Sequence, residues 1–225
     1  MRKPQNILVI APHCDDAEYG LGGFLAKLKE EVSKHYVTLL VIGPGSYVRK
    51  KVVTDPTLAR EEQEQSWLNM DLNGELIFLN HPGNYFDQVP IVEIAADIEQ
   101  VMDRAGADTI FIPLPSYNQD HKVVHDACLI ALRPGNLLDI DTTIYAYEYP
   151  GNCWGTQAPN TGKVYVSLGV SQINKKLECL KKHKSQTKGK LLFGTDSVKE
   201  LARVRGNECG YTHAELFYLY RMVVV

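Results

Sequence analysis

The sequence predicts an α/β fold, a three-layer arrangement with a mostly parallel sheet and a smaller C-terminal β/α extension. Three observations predict it. Short apolar runs rich in β-branched residues recur along the chain, the pattern of strands buried on both faces. Helical stretches alternate with them at the spacing of βαβ units. The composition is globular, 44% hydrophobic and 23% charged over 225 residues, enough for one large core, so residues 1–225 are expected to form one domain.

The first run, Asn6-Ile7-Leu8-Val9-Ile10-Ala11, is a strand that Pro12 ends, because proline cannot donate to a central ladder. The chain then turns through His13-Cys14-Asp15-Asp16. Gly20, Gly22 and Gly23 permit close helix-to-sheet approach before residues 24–29 continue as a helix. Residues 36–42 form a second buried strand, closed by Gly43-Pro44-Gly45, and residues 46–55 read as a mobile basic loop. A very polar helix spans 57–70, a third strand 76–79, and His81-Pro82-Gly83-Asn84 is rich in turn formers. An amphipathic helix over 92–102 precedes a fourth strand, 109–112, which Pro113 and Pro115 end. Residues 115–121 lead into a helix over 122–132 that Arg133-Pro134 stops. Strands at 142–148 and 163–168 follow, then helices at 171–184 and 197–206, the second with Gly206 as C-cap. The last segment opens with His213-Ala214-Glu215 and finishes strand-like.

Two strand ends carry chemistry. His13 and Asp16 are a nitrogen and an oxygen ligand three residues apart, a combination that suits zinc. Adjacent aspartates before a Gly-rich turn also serve as helix caps, so the pair alone leaves both readings open. Asn118-Gln119-Asp120-His121 repeats the arrangement of buried strand, polar turn and helix, and two such turns at the carboxyl ends of parallel strands can converge. His121 then adds a second imidazole, with Asp120 as a carboxylate able to orient it. His, Asp and His are the count an open zinc site needs, and Asp15 is left over beside the metal.

Other features read two ways. Tyr145, Tyr147, Tyr149 and Trp154 around Pro150-Gly151 suit either stacking on sugar rings or core formation. The lysines at 175, 176, 181, 182, 184, 188 and 190 make either a solvated face or a docking surface for an anionic substrate. A net charge of −3 and a pI near 6.2 give no pull toward nucleic acid. No run approaches the roughly 18 apolar residues of a membrane span. Strand residues begin by Ile7, so no secretory leader is expected, and five cysteines without a CxxC pair point to a reduced, cytoplasmic protein.

The stretch from Ala11 to Gly23, APHCDDAEYGLGG, resembles the HPDD…GxGG signature of the LmbE-like, or PIG-L, family of zinc-dependent de-N-acetylases. Asn118-Gln119-Asp120-His121 resembles the HxDH motif of that family. Arg60 with Glu62, Ala131-Leu132-Arg133-Pro134, Ser185-Gln186 and the closing His213-Ala214-Glu215-Leu216-Phe217 fit in the same order, over nearly the whole chain. The resemblance implies a Rossmann-like fold, Zn2+ as cofactor, and removal of acetyl from an N-acetylglucosamine-type sugar on a lipid, thiol, nucleotide or antibiotic carrier. By position it implies His13, Asp16 and His121 as zinc ligands and Asp15 as general base. Arg60, Arg133 and Glu215 are the candidate substrate-binding residues, the arginines suited to an anionic carrier. Relatives are often oligomeric, which leaves a homo-oligomer open.

Two positions depart from the family pattern. Cys14 stands where proline is usual, and Asn118 replaces the first histidine of HxDH. That histidine is implied to stabilise the oxyanion or protonate the leaving amine. Asparagine can donate to an oxyanion but cannot be a general acid at neutral pH, so Asp15 would shuttle the proton itself, or His213 would help. Two alternatives follow. One is a non-catalytic zinc- or sugar-binding relative, motivated by Asn118. The other is a nucleotide-binding module, although the spacing is GxGG rather than GxGxxG and Asp15-Asp16 would repel a pyrophosphate.

Overall fold

The computed structural model describes residues 4–31, 35–44, 48–49, 52–53, 55–136, 141–150, 159–187 and 194–224. Strands β1 (Asn6–Ala11) and β2 (Tyr36–Val41) lie side by side and parallel, with Ile10 opposite Leu40. A short antiparallel hairpin, β3 (Val48–Arg49) and β4 (Val52–Val53), stands where a loop is expected from the sequence. Strand β5 (Gly74–Phe78) pairs with the outer side of β2; β6 (Thr109–Pro113) pairs with the other side of β1 and with β7 (Thr143–Tyr147), all parallel. Strands β8 (Gly162–Leu168) and β9 (His213–Arg221) complete a seven-stranded sheet in the order β5-β2-β1-β6-β7-β9-β8, with β9 antiparallel to both neighbours.

The helices are α1 (Asp16–Glu30), α2 (Pro56–Met70), α3 (Ile91–Ala105), α4 (Gln119–Ala131), α5 (Val170–Leu180), the single turn α6 (Lys184–Thr187) and α7 (Thr195–Cys209). Alternation along the central strands divides the core. Leu8 and Ile10 of β1 face one way, onto Ile94, Ile98, Val124 and Cys128 of α3 and α4. Ile7, Val9 and Ala11 face the other, onto Leu21 and Leu25 of α1, Ala59 and Met70 of α2 and Cys179 of α5. Period-two side-chain alternation thus makes the continuous apolar run the centre of three layers. Strand order reverses between β1 and β6, and that switch point leaves a crevice at their carboxyl ends.

Three expectations shift. The helix expected over 171–184 ends at Leu180, and Lys184–Thr187 is a separate turn. Gly206 is not the C-cap of α7; Gly210, at φ 82°, is. Gly206 lies inside the helix because a Cβ there would come within 2.6 Å of the Tyr211 carbonyl oxygen and 2.7 Å of the His213 backbone. Helix α4 begins at Gln119, so Asp120 and His121 belong to its first turn.

Candidate metal centre and active site

Two turns at the switch point build the site. After Pro12 the backbone closes on itself, the His13 N–H donating to Asp16 Oδ2 at 2.9 Å. Asp15 then takes the left-handed conformation, φ 88° and ψ −25°, which few residues other than glycine adopt and which aspartate tolerates better than most. Neither aspartate is a simple helix cap: the Asp15 side chain makes no cap bond, and Asp16 bonds back to His13. On the other side of the crevice Asn118 is the N-cap of α4, its Oδ1 accepting from the Asp120 N–H at 3.0 Å. That cap sets the start of the helix and therefore the direction of His121.

His13, Asp16 and His121 converge, buried, with one donor atom from each lying within 4.8 Å of the others. His13 Nδ1 and His121 Nε2 each lie 3.4 Å from Asp16 Oδ2. That is longer than the roughly 2.7–3.2 Å of a good N–H···O bond. It matches the separation of about 3.3 Å between two ligands that each sit 2.0–2.1 Å from a tetrahedral zinc. The residues therefore fit a zinc ion in both donor type and spacing. Burial alone would lower the His13 pKa, but Asp120 and Asp16 outweigh it and push it up to about 9. Burial would raise that of Asp16, but His121 and His13 hold it well below the usual carboxylate range. Asp15 goes the other way: burial and then the Asp16 charge raise its pKa well above the usual range.

Asp120 does not orient His121, as its position in sequence suggests. It pairs with the more distant His13, whose Nε2 is 2.8 Å from Asp120 Oδ2, and accepts backbone N–H bonds from Asn84 and Phe86. One carboxylate thus fixes the ring of a ligand from the turn after β1 and the loop after β5 together. His121 Nδ1 is buried with no hydrogen-bond partner among the described residues, and its ring and that of Tyr149 form a T-shaped pair, 4.7 Å between centroids. The sequence signal for Asp120 is real, but the helical start turns its side chain across the crevice.

The other candidates divide. Arg60 lies over the Phe78 ring, donates to Asn80 Oδ1, and lines a cleft of about 400 Å³ with Thr57, Asn80 and His81. That cleft adjoins the metal group through Phe86, which touches His81 and stacks on His13. Arg133 is not brought to the site. It follows the far end of α4, roughly 20 Å of helix from the N-terminus, where it bonds Asn136. His213 lies against α7, with burial, Lys199 and Arg203 lowering its pKa; no described contact joins it to the metal group. Glu215 is buried and accepts from the Gly23 and Phe24 N–H groups and from Lys176 Nζ. It caps the second half of α1, which is kinked at Leu21, while Lys176 also donates to the Tyr19 carbonyl beside the kink.

The glycines of α1 are explained by close approach rather than by a phosphate. A Cβ on Gly20 would fall 2.1 Å from the Tyr147 ring, and one on Gly23 would fall 2.3 Å from Leu168. This disfavours the nucleotide-binding alternative. Tyr145 and Tyr147 are core residues, Tyr149 faces the site, and Trp154, Lys188 and Lys190 lie outside the described residues. Lys175 and Lys176 are engaged with Asn69 and Glu215. A cavity of about 470 Å³ among Phe24, Phe111, Tyr145 and Phe217 opens beside Asp108 and Asp141, at the amino ends of β6 and β7, away from the metal group.

Sequence reasoning missed Glu18, Gln63, Ser66 and His183, all buried, in a network that reaches the Asp15 N–H through Gln63. A signal existed in α2. The residues it buries are Ala59, Glu62, Gln63, Ser66 and Met70, so its inward face is polar at helical spacing. A polar face that goes inside must find partners there. Glu62 accepts from the Ser185 N–H and hydroxyl, which explains why those two positions go together.

Comparison with known proteins follows the same lines. Residues 8–132, more than half of the chain and holding both turns, match the family model PIG-L, GlcNAc-PI de-N-acetylase. The chain is 28% identical over 196 residues to the uncharacterized deacetylase YaiS of Escherichia coli (strain K12), spanning 81% of this chain and 92% of that one. It resembles N,N'-diacetylchitobiose deacetylase from Pyrococcus horikoshii complexed with its inhibitor MPG, at TM-score 0.77 and 20% identity over 96% of this chain and 84% of that one. It also resembles the zinc-inhibited form of teicoplanin deacetylase Orf2, at TM-score 0.73 and 16% identity over 95% and 97% of the two chains. At such identities the structural likeness speaks for the fold.

Proposed function

The chain belongs to the PIG-L family, the GlcNAc-PI de-N-acetylases, and from that premise we propose that it removes acetyl from an N-acetylglucosamine-type sugar on a larger carrier, with Zn2+ as cofactor. The observation that carries this reading is the His13, Asp16 and His121 group at the β1/β6 switch point, with Asp15 next to it. Zinc held by these three residues would polarise the acetyl carbonyl and lower the pKa of water from 15.7 toward about 7.

The residues of the chain do the rest. Asp15, buried and with a raised affinity for a proton, accepts one from the attacking water. Asn118 keeps Oδ1 on the helix cap and offers its NH2 group to the oxyanion. It has no proton to give, so Asp15 returns the proton to the amine nitrogen as the C–N bond breaks, leaving acetate and the free amino sugar. Tyr149 offers a ring beside His121 for the sugar, and Arg60 lies in the adjoining cleft where a carrier would extend. The buried free thiols of Cys14, Cys128 and Cys179 suit a reducing cytoplasm. No helix among the described residues is long and apolar enough to cross a membrane.

The test is release of acetate from N-acetylglucosamine and from its nucleotide-, thiol- and lipid-linked forms, with zinc-loaded and chelator-treated protein. Equal amounts of acetate and free amine are expected, lost on chelation and restored by zinc. Release from none of them would leave the non-catalytic zinc- or sugar-binding reading in its place.

A further inference from the structure

We propose that Gln63 is a positioning residue for this reaction: from α2 it holds the left-handed turn that aims the Asp15 carboxylate. The inference rests on the reading of Asp15 as the base. Asp15 has an uncommon backbone conformation, and no hydrogen bond sets the direction of its carboxylate among the described residues. Its aim is therefore set by its backbone. Among the described residues, the one restraint on that backbone from outside α1 is the Asp15 N–H, which donates to Gln63 Oε1 at 3.0 Å in a buried setting.

The Gln63 amide has only one orientation that works. Its Nε2 donates to Glu18 Oε1 at 2.7 Å, so its oxygen must face the Asp15 N–H. Turned over, it would set N–H against N–H and oxygen against carboxylate. Glu18 is held in turn by the Ser66 hydroxyl at 2.5 Å and faces His183 Nε2 at 3.5 Å. All four supporting side chains are buried, Gln63 at 1% exposure and Ser66 at 0%. One amide from α2 thus spans both ends of the segment Asp15 to Glu18, the segment that carries the base and the ligand Asp16. Glutamine has the reach and carries both a donor and an acceptor; glutamate would set a second carboxylate against Glu18.

The experiment compares wild type, Gln63→Met, Asp15→Asn and the double variant, with Ser66→Ala as a control for general loosening around Glu18. In metal-free protein, the Asp15 amide should exchange faster in Gln63→Met, while the Tyr19 amide, bonded to the Asp15 carbonyl at 3.0 Å, keeps its protection. In zinc-loaded protein, Gln63→Met should lower kcat by about 10- to 100-fold, the usual cost of a misplaced reacting group, with KM and zinc content unchanged. The double variant should be no slower than Asp15→Asn, because Gln63 acts through Asp15. Ser66→Ala, which keeps the Gln63 to Asp15 bond, should lower stability and cost kcat much less than Gln63→Met; an equal loss of kcat would mean general loosening and count against the proposal. A wild-type kcat in Gln63→Met, or a double variant slower than Asp15→Asn by the full factor that Gln63→Met costs alone, overturns the proposal and leaves the base reading standing. An Asp15→Asn variant with full kcat removes the base reading itself. If Gln63→Met does not fold, Gln63→Glu still offers an oxygen to the Asp15 N–H. With that second carboxylate set against Glu18, it should keep the amide protection that Gln63→Met is expected to lose, but lose stability, so its kcat is read at equal folded fraction: a kcat as low as that expected of Gln63→Met with the Asp15 amide still protected would overturn the proposal.

Discussion

Glu215→Gln separates a structural role for this residue from the substrate-binding role that sequence position suggests. The wild-type carboxylate accepts three hydrogen bonds, from Gly23 N–H at 2.8 Å, Phe24 N–H at 2.7 Å and Lys176 Nζ at 2.7 Å. Both side chains of the ion pair are 4% exposed. The glutamine keeps one oxygen, so its NH2 end cannot accept, and Lys176 is left buried without its counter-charge. Breaking one partner of such a pair costs about 3–5 kcal/mol. At roughly 2–4 °C per kcal/mol for a chain of this size, Tm should fall by about 6–20 °C. Replacing both residues, with Lys176→Met and Glu215→Leu, removes the stranded charge. It still takes the acceptor away from the Gly23 and Phe24 N–H groups, at about 1–3 kcal/mol each, so the double variant should remain well below wild type. The assay is thermal denaturation of zinc-loaded protein beside steady-state acetate release at 25 °C. A Glu215→Gln variant with unchanged Tm and a raised KM would refute the reasoning and return Glu215 to the substrate.

Other perturbations test the site. Asp15→Asn should lower kcat by roughly 10²–10⁴-fold while zinc stays bound; loss of zinc would make Asp15 a ligand instead. Asp16→Ala or His121→Ala should strip zinc, measured by metal analysis, and Asp120→Ala, which frees the His13 ring, should weaken zinc binding by about 10–100-fold. For His183, burial lowers the pKa, but Glu18, then Asp15 and Glu62, outweigh it and raise it above 6.5. A raised histidine contributes stability that is fully present below its unfolded value and is lost as pH rises through its folded value. The Tm gap between wild type and His183→Gln should therefore be wider at pH 6 than at pH 9, and a gap that widens with pH would contradict the assigned shift.

Much of this was legible in the chain itself. The apolar run 6–11 appears as β1 with the expected bounds, because a strand buried on both faces needs unbroken apolar residues and proline cannot continue it. The three candidate metal ligands converge because both turns lie at carboxyl ends of adjacent parallel strands. Periodicity and punctuation are local properties, and local properties can be read without a fold.

What tertiary structure alone decided was the choice among distant partners. Asp120 serves His13, 107 positions away, rather than its neighbour His121. Glu215 reaches Gly23 across 192 positions and completes a kinked helix, although its place beside His213 suggests the active site. Gly206 is a contact point for the returning chain, and the cap falls four residues later. Gln63 finds the Asp15 N–H only because α2 lies against the first turn of α1. A polar side chain states what it can bond to; which donor or acceptor lies within 3 Å of it depends on the strand order and helix placement that bring those distant segments together.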